Sequence, residues 1–364
     1  MSSPDKQPLV SIVVVHYRGF EILRRCLSSI FNTDYGSYEV ILVDNGSDDG
    51  SVDAVEGLFR DRVKIIRSGV NLGFIGGNNL ALKEVNGKYV VLLNNDTAVQ
   101  PDWLKRLVEV AERDESIGAA MPKLLWMRDP RYFEYNGACG GMLDVYGVPF
   151  CRGRVFDTFE EDRGQYDTTV EVFWASGAAL FARTEAVKKA GLLDPLLYAH
   201  MEEIDLCWRM RLLGYKVVCV PDSVVYHWGG GTNIKGKWYL KQRNNIIVMI
   251  KNYGLGSLSR YLPRRVVLDV LSMLYFLASG ERERVLYTIK AYFWILRNLR
   301  AVIAARFRTQ RLRRVSDAEV LKAMCKSNVS IQYYLLKRRM FSRIHGLPLP
   351  LKYYLAINTT LCNV

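Results

Sequence analysis

The chain has 364 residues, 49% hydrophobic and 24% charged, a composition that excludes a disordered polypeptide and allows one large domain or a domain with an appendage. Seven scattered cysteines, odd in number and never spaced Cys-x-x-Cys, argue against a disulfide framework and a structural zinc site and predict a reducing compartment. The net charge of +13 is uneven: residues 251–364 carry 21 Lys and Arg against 5 Asp and Glu, whereas residues 1–250 carry 29 against 32, so the basic part is expected to meet an anionic partner, a membrane surface or nucleic acid.

The polar start, Met1 to Pro8, shows no signal-peptide pattern, and with the cysteines this points to the cytosol. A β-branched run, Val10–His16, predicts a buried strand that ends at Tyr17. Glu21–Phe31 places Ile22, Leu23, Cys26, Leu27 and Ile30 at helical intervals. Tyr38–Val43 reads as a second strand stopped by Asp44-Asn45-Gly46-Ser47. Asp49–Phe59 reads as helix, Val63–Ile66 as strand, Phe74–Val85 as helix after a Gly-rich entry, and Lys88–Leu93 as a fourth strand ending at Asn94-Asn95-Asp96. Strands apolar on both faces and alternating with helices predict an α/β fold with a parallel sheet between helical layers. Ligands on such sheets bind beyond the carboxyl ends of the strands, where Tyr17, Asp44 and Asp96 fall.

After residue 114 the pattern loosens, with a Gly-rich loop at Tyr135–Gly147. Val170–Phe181 then reads as a strand, Thr184–Ala190 and Glu202–Leu213 as helices, and Lys216–Val220 as a strand. Beyond residue 253, Val266–Ala278 and Val285–Phe307 are the most apolar stretches, but Asp269 interrupts the first and Lys290, Arg297, Arg300 and Arg306 the second. Neither offers the ~20 uninterrupted apolar residues of a spanning helix. Basic residues beside Trp, Phe and Leu suit an interfacial helix, and Arg306, Arg308, Arg311, Arg313 and Arg314 extend that character.

Several groups carry candidate chemistry. Asn94-Asn95-Asp96 offers oxygen ligands for Mg²⁺ or Mn²⁺, or is an ordinary turn. Asp44 can accept the N–H of a pyrimidine base, although Asp-Asn-Gly is also a good turn. Asn71–Asn79 sets glycines before a helix whose backbone N–H groups favour phosphate. In His200–Arg209 three carboxylates crowd a helix start; Asp205 and Arg209, one turn apart, read as a surface ion pair, and Glu203 as a general base. His227 precedes Gly229, Gly230 and Gly231 and reads as structural or as a ligand. Arg243, beside Asn244, reads as a diphosphate grip or a surface residue. His16 reads as core or edge.

Together, Ser11–Tyr17, Val43–Ser47, Asn71–Asn79, Leu93–Asp96, Trp174–Gly177, Gly191–Asp194, Glu202–Arg209, His227 and Arg243-Asn244 occur in an order and spacing that resembles glycosyltransferase family 2, inverting enzymes with a GT-A fold. The match runs over about residues 9–250, and Asn-Leu-Gly-Phe with Glu-Glu-x-Asp-Leu-Cys is similar to the rhamnosyltransferase branch. The resemblance implies a GT-A catalytic domain over residues 1–252, with a mostly parallel central sheet flanked by helices. A basic helical region over 253–364 would follow, for membrane association or homo-oligomerisation. It implies that Asp44 recognises the base with Tyr17 near the nucleoside, and that Asn71, Gly73, Asn79, Asn95 and Arg243 complete the nucleotide-sugar site. Asp96 would be the surviving carboxylate of the Asp-x-Asp metal motif and His227 a second ligand for Mg²⁺ or Mn²⁺. Glu203 falls at the catalytic base, usually Asp, with Glu202 its rival; Trp174 and Gly177 would lie on the acceptor side. Asn94, where the family has a carboxylate, and Glu203 for Asp are the two departures.

The implied reaction is sugar transfer from a nucleotide-diphospho-sugar, L-rhamnose from dTDP-rhamnose first, to a glycan or polyprenyl-diphosphate-linked acceptor in cell-surface glycan synthesis. Alternatives are a UDP-sugar donor (galactofuranose, N-acetylglucosamine, glucose or galactose), a nucleotidyltransferase, or a non-catalytic scaffold. The expected setting is cytoplasmic, peripheral on the inner face of the cell membrane, with no nucleic-acid partner.

Overall fold

The structure, a computed structural model, describes residues 7–134, 137–229 and 236–348. The chain enters through β1 (Val10–His16) and turns at Gly19, whose φ of 101° only glycine adopts freely, into α1 (Phe20–Phe31). There follow β2 (Tyr38–Asp44), α2 (Ser51–Phe59), β3 (Lys64–Arg67), α3 (Gly73–Ala81) and β4 (Tyr89–Asn94). β2, β1 and β4 are filled with Val, Ile and Leu and are nearly inaccessible, because helices cover both faces of the sheet.

The second half of the sheet is mixed. β5 (Thr97–Val99), α4 (Trp103–Arg113) and β6 (Ile117–Trp126) lead into a small antiparallel sheet of β7 (Gly141–Leu143), β8 (Pro149–Cys151), β9 (Arg154–Val155) and β10 (Thr158–Phe159). β11 (Val170–Glu171), β12 (Ala179–Arg183), α5 (Thr184–Ala190), α6 (Glu202–Leu212) and β13 (Lys216–His227) complete the core. The main sheet runs β11-β13-β6-β12-β4-β1-β2-β3, with β5 on the far end of β13. β4, β1, β2 and β3 are parallel, β12 is antiparallel to both neighbours, and β6 and β13 are parallel.

Two sequence expectations are corrected. Val170–Phe181 is not one strand: β11 pairs with β13 and β12 with β4 and β6, so the intervening residues leave one ladder and turn through Ser176–Ala178 to join another. The strand expected at Lys216–Val220 continues to His227, with a bulge between Val220 and Val224 that accommodates Pro221. That continuation carries His227 to the site.

After α7 (Lys237–Asn252) come α8 (Leu255–Ala278), α9 (Arg282–Arg297), α10 (Leu299–Leu312), α11 (Asp317–Lys322) and α12 (Val329–Tyr334). α8, α9 and α10 all pack on α7. Arg306 and Arg313, expected to extend the basic surface, instead turn inward: their guanidiniums donate to the carbonyls of Ile250, Asn252 and Tyr253, the orphan acceptors at the end of α7. Arg308, Arg311 and Arg314 remain exposed. Among the described residues no helix is long and apolar enough to cross a membrane, and the six cysteines there are buried and free. Cys362, Gly230, Gly231, Tyr135 and Asn136 lie outside the described residues.

Candidate active site

Register brings the first group together. His16 pairs with Asp44 and Val15 with Asn94, so Tyr17, Asp44 and Asn94-Asn95-Asp96 emerge side by side at the carboxyl edge of β2-β1-β4. Tyr17 is 42% exposed, under the Arg18 guanidinium. The Asp44 carboxylate accepts from Ser47 N at 2.8 Å and from Arg67 at 3.0 Å. Asn45 ties this edge to the entry of α3: its side chain accepts from Leu72 N and donates to Asn71 Oδ1, which also accepts from Gly73 N. Gly73 sits at φ 68°, which fits the residue expected there.

His16 belongs to the core. Its Nδ1 accepts from Asn95 Nδ2 at 2.8 Å and its Nε2 donates to Ser51 Oγ, which donates to Asp49. Burial pushes its pKa down to about 4, so the ring is neutral. Asn95 is thereby fixed towards the sheet.

The end of β13 brings in a residue 131 positions from Asp96. Thr97 pairs with His227 across β5 and β13, which sets His227 Nε2 3.0 Å from Asp96 Oδ1 and 3.3 Å from Asn94 Nδ2. On the other ring nitrogen, Nδ1 lies 3.0 Å from Glu134 Oε1. Glu134 arrives there because its N–H donates to Leu124 O, alongside β6, the neighbour of β13. Burial alone would lower the His227 pKa, but the contacts to Asp96 and Glu134 push it up to about 10. Sequence reasoning missed Glu134, a lone acid in an irregular loop with no spacing relation to His227.

The His227 ring is thus held as an imidazolium beside two carboxylates; a divalent cation that displaced the Nε2 proton would find an N and an O donor converging, with a carboxylate behind the imidazole. Among the described residues no group of three or more His, Cys, Asp and Glu could hold an ion, so Asp96 and His227 need oxygens from a bound ligand to complete a coordination shell.

The third group is α6. Glu202 is buried and Glu203 half-buried, and neither Oε2 has a hydrogen-bond partner among the described residues. Burial raises both carboxyl pKa values, with the charge of Glu203 adding to the rise at Glu202. Glu203 lies beside the metal-edge strand: Asn94 N donates to Ala178 O, and a Cβ built on adjacent Gly177 would stand 3.8 Å from Glu203 Cβ. Gly177 thus lies between Glu203 and Phe74, and a side chain there would press on Phe74.

Residues 11–148 match the family model for glycosyl transferase family 2. Those residues form a glycosyltransferase family 2 domain. Among its relatives, an uncharacterized protein of Sinorhizobium fredii is 31% identical over 60% of this chain and 24% of that protein. An N-acetylglucosaminyl-diphospho-decaprenol L-rhamnosyltransferase of Mycobacterium tuberculosis is 27% identical over 60% of this chain and 76% of that one. The chain thus spans about a quarter to a third of the first relatives it matches. GalNAc-T7, solved with UDP, GalNAc and Mn²⁺, superposes with a TM-score of 0.55 at 17% identity, over 71% of this chain and 50% of that one, which shows a GT-A-like fold.

Several motif residues are engaged by the chain's own groups. Arg243 is buried, not the surface residue of the alternative reading: its guanidinium donates to Leu197 O at 2.8 Å and lies 4.4 Å from the Trp294 ring. Asn244 donates to the carbonyls of Leu197, Ala199 and His200. Together they staple a turn in which Tyr198, His200 and Met201 all have positive φ, immediately before Glu202. Asn79 exchanges two hydrogen bonds with the Leu193 backbone and so holds the loop before that turn. Trp174 is 4% exposed, donates to Met142 O and lies against Gly141. Asp205 and Arg209 do pair, at 2.9 Å, but in the interior, with Lys251 and Asn252 also bound to Asp205. Gly77 lies inside α3, where a Cβ would be 2.6 Å from Val15 Cγ1, so it serves close packing of helix on strand.

Proposed function

We propose that the chain is an inverting, divalent-metal-dependent glycosyltransferase, with Glu203 as base. The observation that carries this is the convergence of Asp96 and His227 at one sheet edge, with the half-buried Glu203 beside Gly177 next to that strand end and its Oε2 without a hydrogen-bond partner among the described residues. The donor is a nucleotide-diphospho-sugar with its base at Asp44 and Tyr17, beside the Asn71–Gly73 entry of α3. Mg²⁺ or Mn²⁺ held by Asp96 and His227 supplies positive charge to the donor diphosphate.

Glu203 accepts the proton of an acceptor hydroxyl while that oxygen bonds to the anomeric carbon; the bond from that carbon to the phosphate oxygen breaks, and nucleoside diphosphate leaves. Glu134 holds His227 through Nδ1, which directs Nε2 towards Asp96. Glu202, more deeply buried than Glu203, is read as environment, with Glu203 as the group that meets the acceptor.

The M. tuberculosis relative's name supports L-rhamnose from dTDP-rhamnose and a polyprenyl-diphosphate-linked glycan acceptor. A UDP-sugar is the second donor reading, favoured by the fold neighbour solved with UDP. Region 253–364 is read as meeting an anionic membrane at the inner face of the cell membrane, where such an acceptor is presented. Release of nucleoside diphosphate from a panel of dTDP- and UDP-sugars in Mn²⁺ tests the reading. No turnover of any donor, with or without lipid-linked acceptor, would contradict it.

A further inference from the structure

The hairpin of α8 and α9 leaves a long apolar face uncovered. α8 and α9 run antiparallel: Tyr292 donates to Asp269, and Arg284 stacks on Phe276 near the tip. Their inner faces are polar or tightly packed. Arg265 and Asp269 pair at 2.9 Å and bond to Gln242 and Asn245 of α7, while Val285, Thr288, Ala291 and Ile295 are buried. The one acid in Val266–Ala278 is thus turned inward, and the outer face of α8 is left with Val267, Val270, Leu271, Leu274, Tyr275 and Leu277, all exposed. α9 continues it with Leu286, Ile289, Phe293 and Leu296, spaced three and four apart on one helical face and 52–69% exposed. Soluble surfaces rarely leave so much contiguous apolar area open without a partner.

We propose that this ridge is a monotopic docking surface that enters the acyl layer of an anionic bilayer, which deepens the membrane reading above and rests on it. Charge complementarity selects the occupant. Exposed Arg264, Arg282, Lys290, Arg297 and Arg300 flank the ridge, and the two tip acids, Glu281 and Glu283, are held by Arg284 and Tyr287. Apolar residues bordered by cations match the boundary between acyl chains and anionic headgroups. Across a twofold axis the same cations would face their own copies. The ridge is also placed for a lipid-borne acceptor. Its tip packs on Trp238 at the start of α7, one turn from Lys241, whose charge is felt at Glu203.

The test is flotation of the full chain with phosphatidylcholine vesicles, with and without phosphatidylglycerol, comparing wild type with Leu274→Glu/Phe293→Glu. Thermal unfolding of both proteins verifies folding. Wild type is expected to float with the acidic vesicles, and the double variant to lose at least about tenfold in partition coefficient at an unchanged unfolding midpoint. Equal flotation of both proteins overturns the ridge while leaving membrane contact through the basic residues intact. No flotation of wild type at low salt removes both. A wild-type dimer that the variant dissolves, without vesicle binding, assigns the ridge to a second copy and overturns the proposal.

Discussion

Glu203 carries the sharpest residue-level expectations. Glu203→Gln keeps size and removes basicity, so transfer should fall by about 10²–10⁴-fold while donor affinity stays within a factor of two or three. Because burial raises the Glu203 pKa, the ionised base is lost as pH falls through a value above the ordinary carboxylate range; kcat/KM should therefore rise with pH on an acid limb lying higher than about 4.3. The stability consequence has the opposite sign. A folded-state pKa raised above the unfolded one contributes stability at low pH that is lost as pH rises through it, so Glu203→Gln should unfold about 1–3 °C higher than wild type at pH 8, with the gain gone near pH 4. A lower midpoint at pH 8 would count against a buried, destabilised base. Glu134→Gln should weaken Mn²⁺ binding by about 10–100-fold in titration calorimetry with nucleoside diphosphate present, through loss of the group behind His227; unchanged affinity would reduce Glu134 to packing. The places of Asp44 and Asp96 at strand ends and of Glu203 at a helix start are legible because such ends are marked by composition, whereas the strand that carries His227 is expected from the sequence to stop at Val220. Glu134 was not legible, since its partner is set by the pairing of β6 with β13.

At the scale of elements, the turn before α6 is the part under strain. Three positive-φ residues in sequence 198–201 persist because Asn244 and Arg243 bind the carbonyls around them. Asn244→Ala should cost about 2–3 kcal/mol in denaturant unfolding and lower kcat without altering Mn²⁺ affinity, since the metal edge belongs to other strands. A kcat equal to wild type would show that the turn tolerates release. Asp205→Ala should cost about 3–5 kcal/mol, because Arg209 would remain buried without its carboxylate and Lys251 would keep only Asp194. The Asp205–Arg209 spacing predicted the pair, but its burial came from α7 packing on α6, which no local pattern encodes. The same holds for Arg243, whose neighbours Leu197 and Trp294 are remote in sequence. The early β/α alternation was readable because both-face burial leaves uniform apolar runs; the switch from β11 to β12 was not, as an apolar turn and an apolar strand look alike.

For the whole molecule, charge marks a boundary near residue 252, yet the helices beyond it pack on and cap α7. Arg306, Gln310 and Arg313 bind the last carbonyls of α7, and Ile246, Ile247, Val248 and Met249 lie buried. A chain ending at residue 252 is expected to aggregate or to lose cooperative unfolding in size-exclusion and thermal measurements; a monomeric, cooperatively unfolding fragment would make the helical region a separable appendage. The surface charge was visible in composition, but which arginines point outward was decided by the packing of α10 on α7. The account as a whole stands on the Asp96–His227 edge and the carboxylate beside it. It is tested most directly by nucleoside diphosphate release from dTDP- and UDP-sugars, in Mn²⁺ and in excess chelator, for wild type, Asp96→Ala and Glu203→Gln. The account predicts turnover of at least one donor by wild type in Mn²⁺, near-complete loss in chelator and in both variants, and retained donor binding by Glu203→Gln. Turnover that survives chelation, or full activity in either variant, would contradict it.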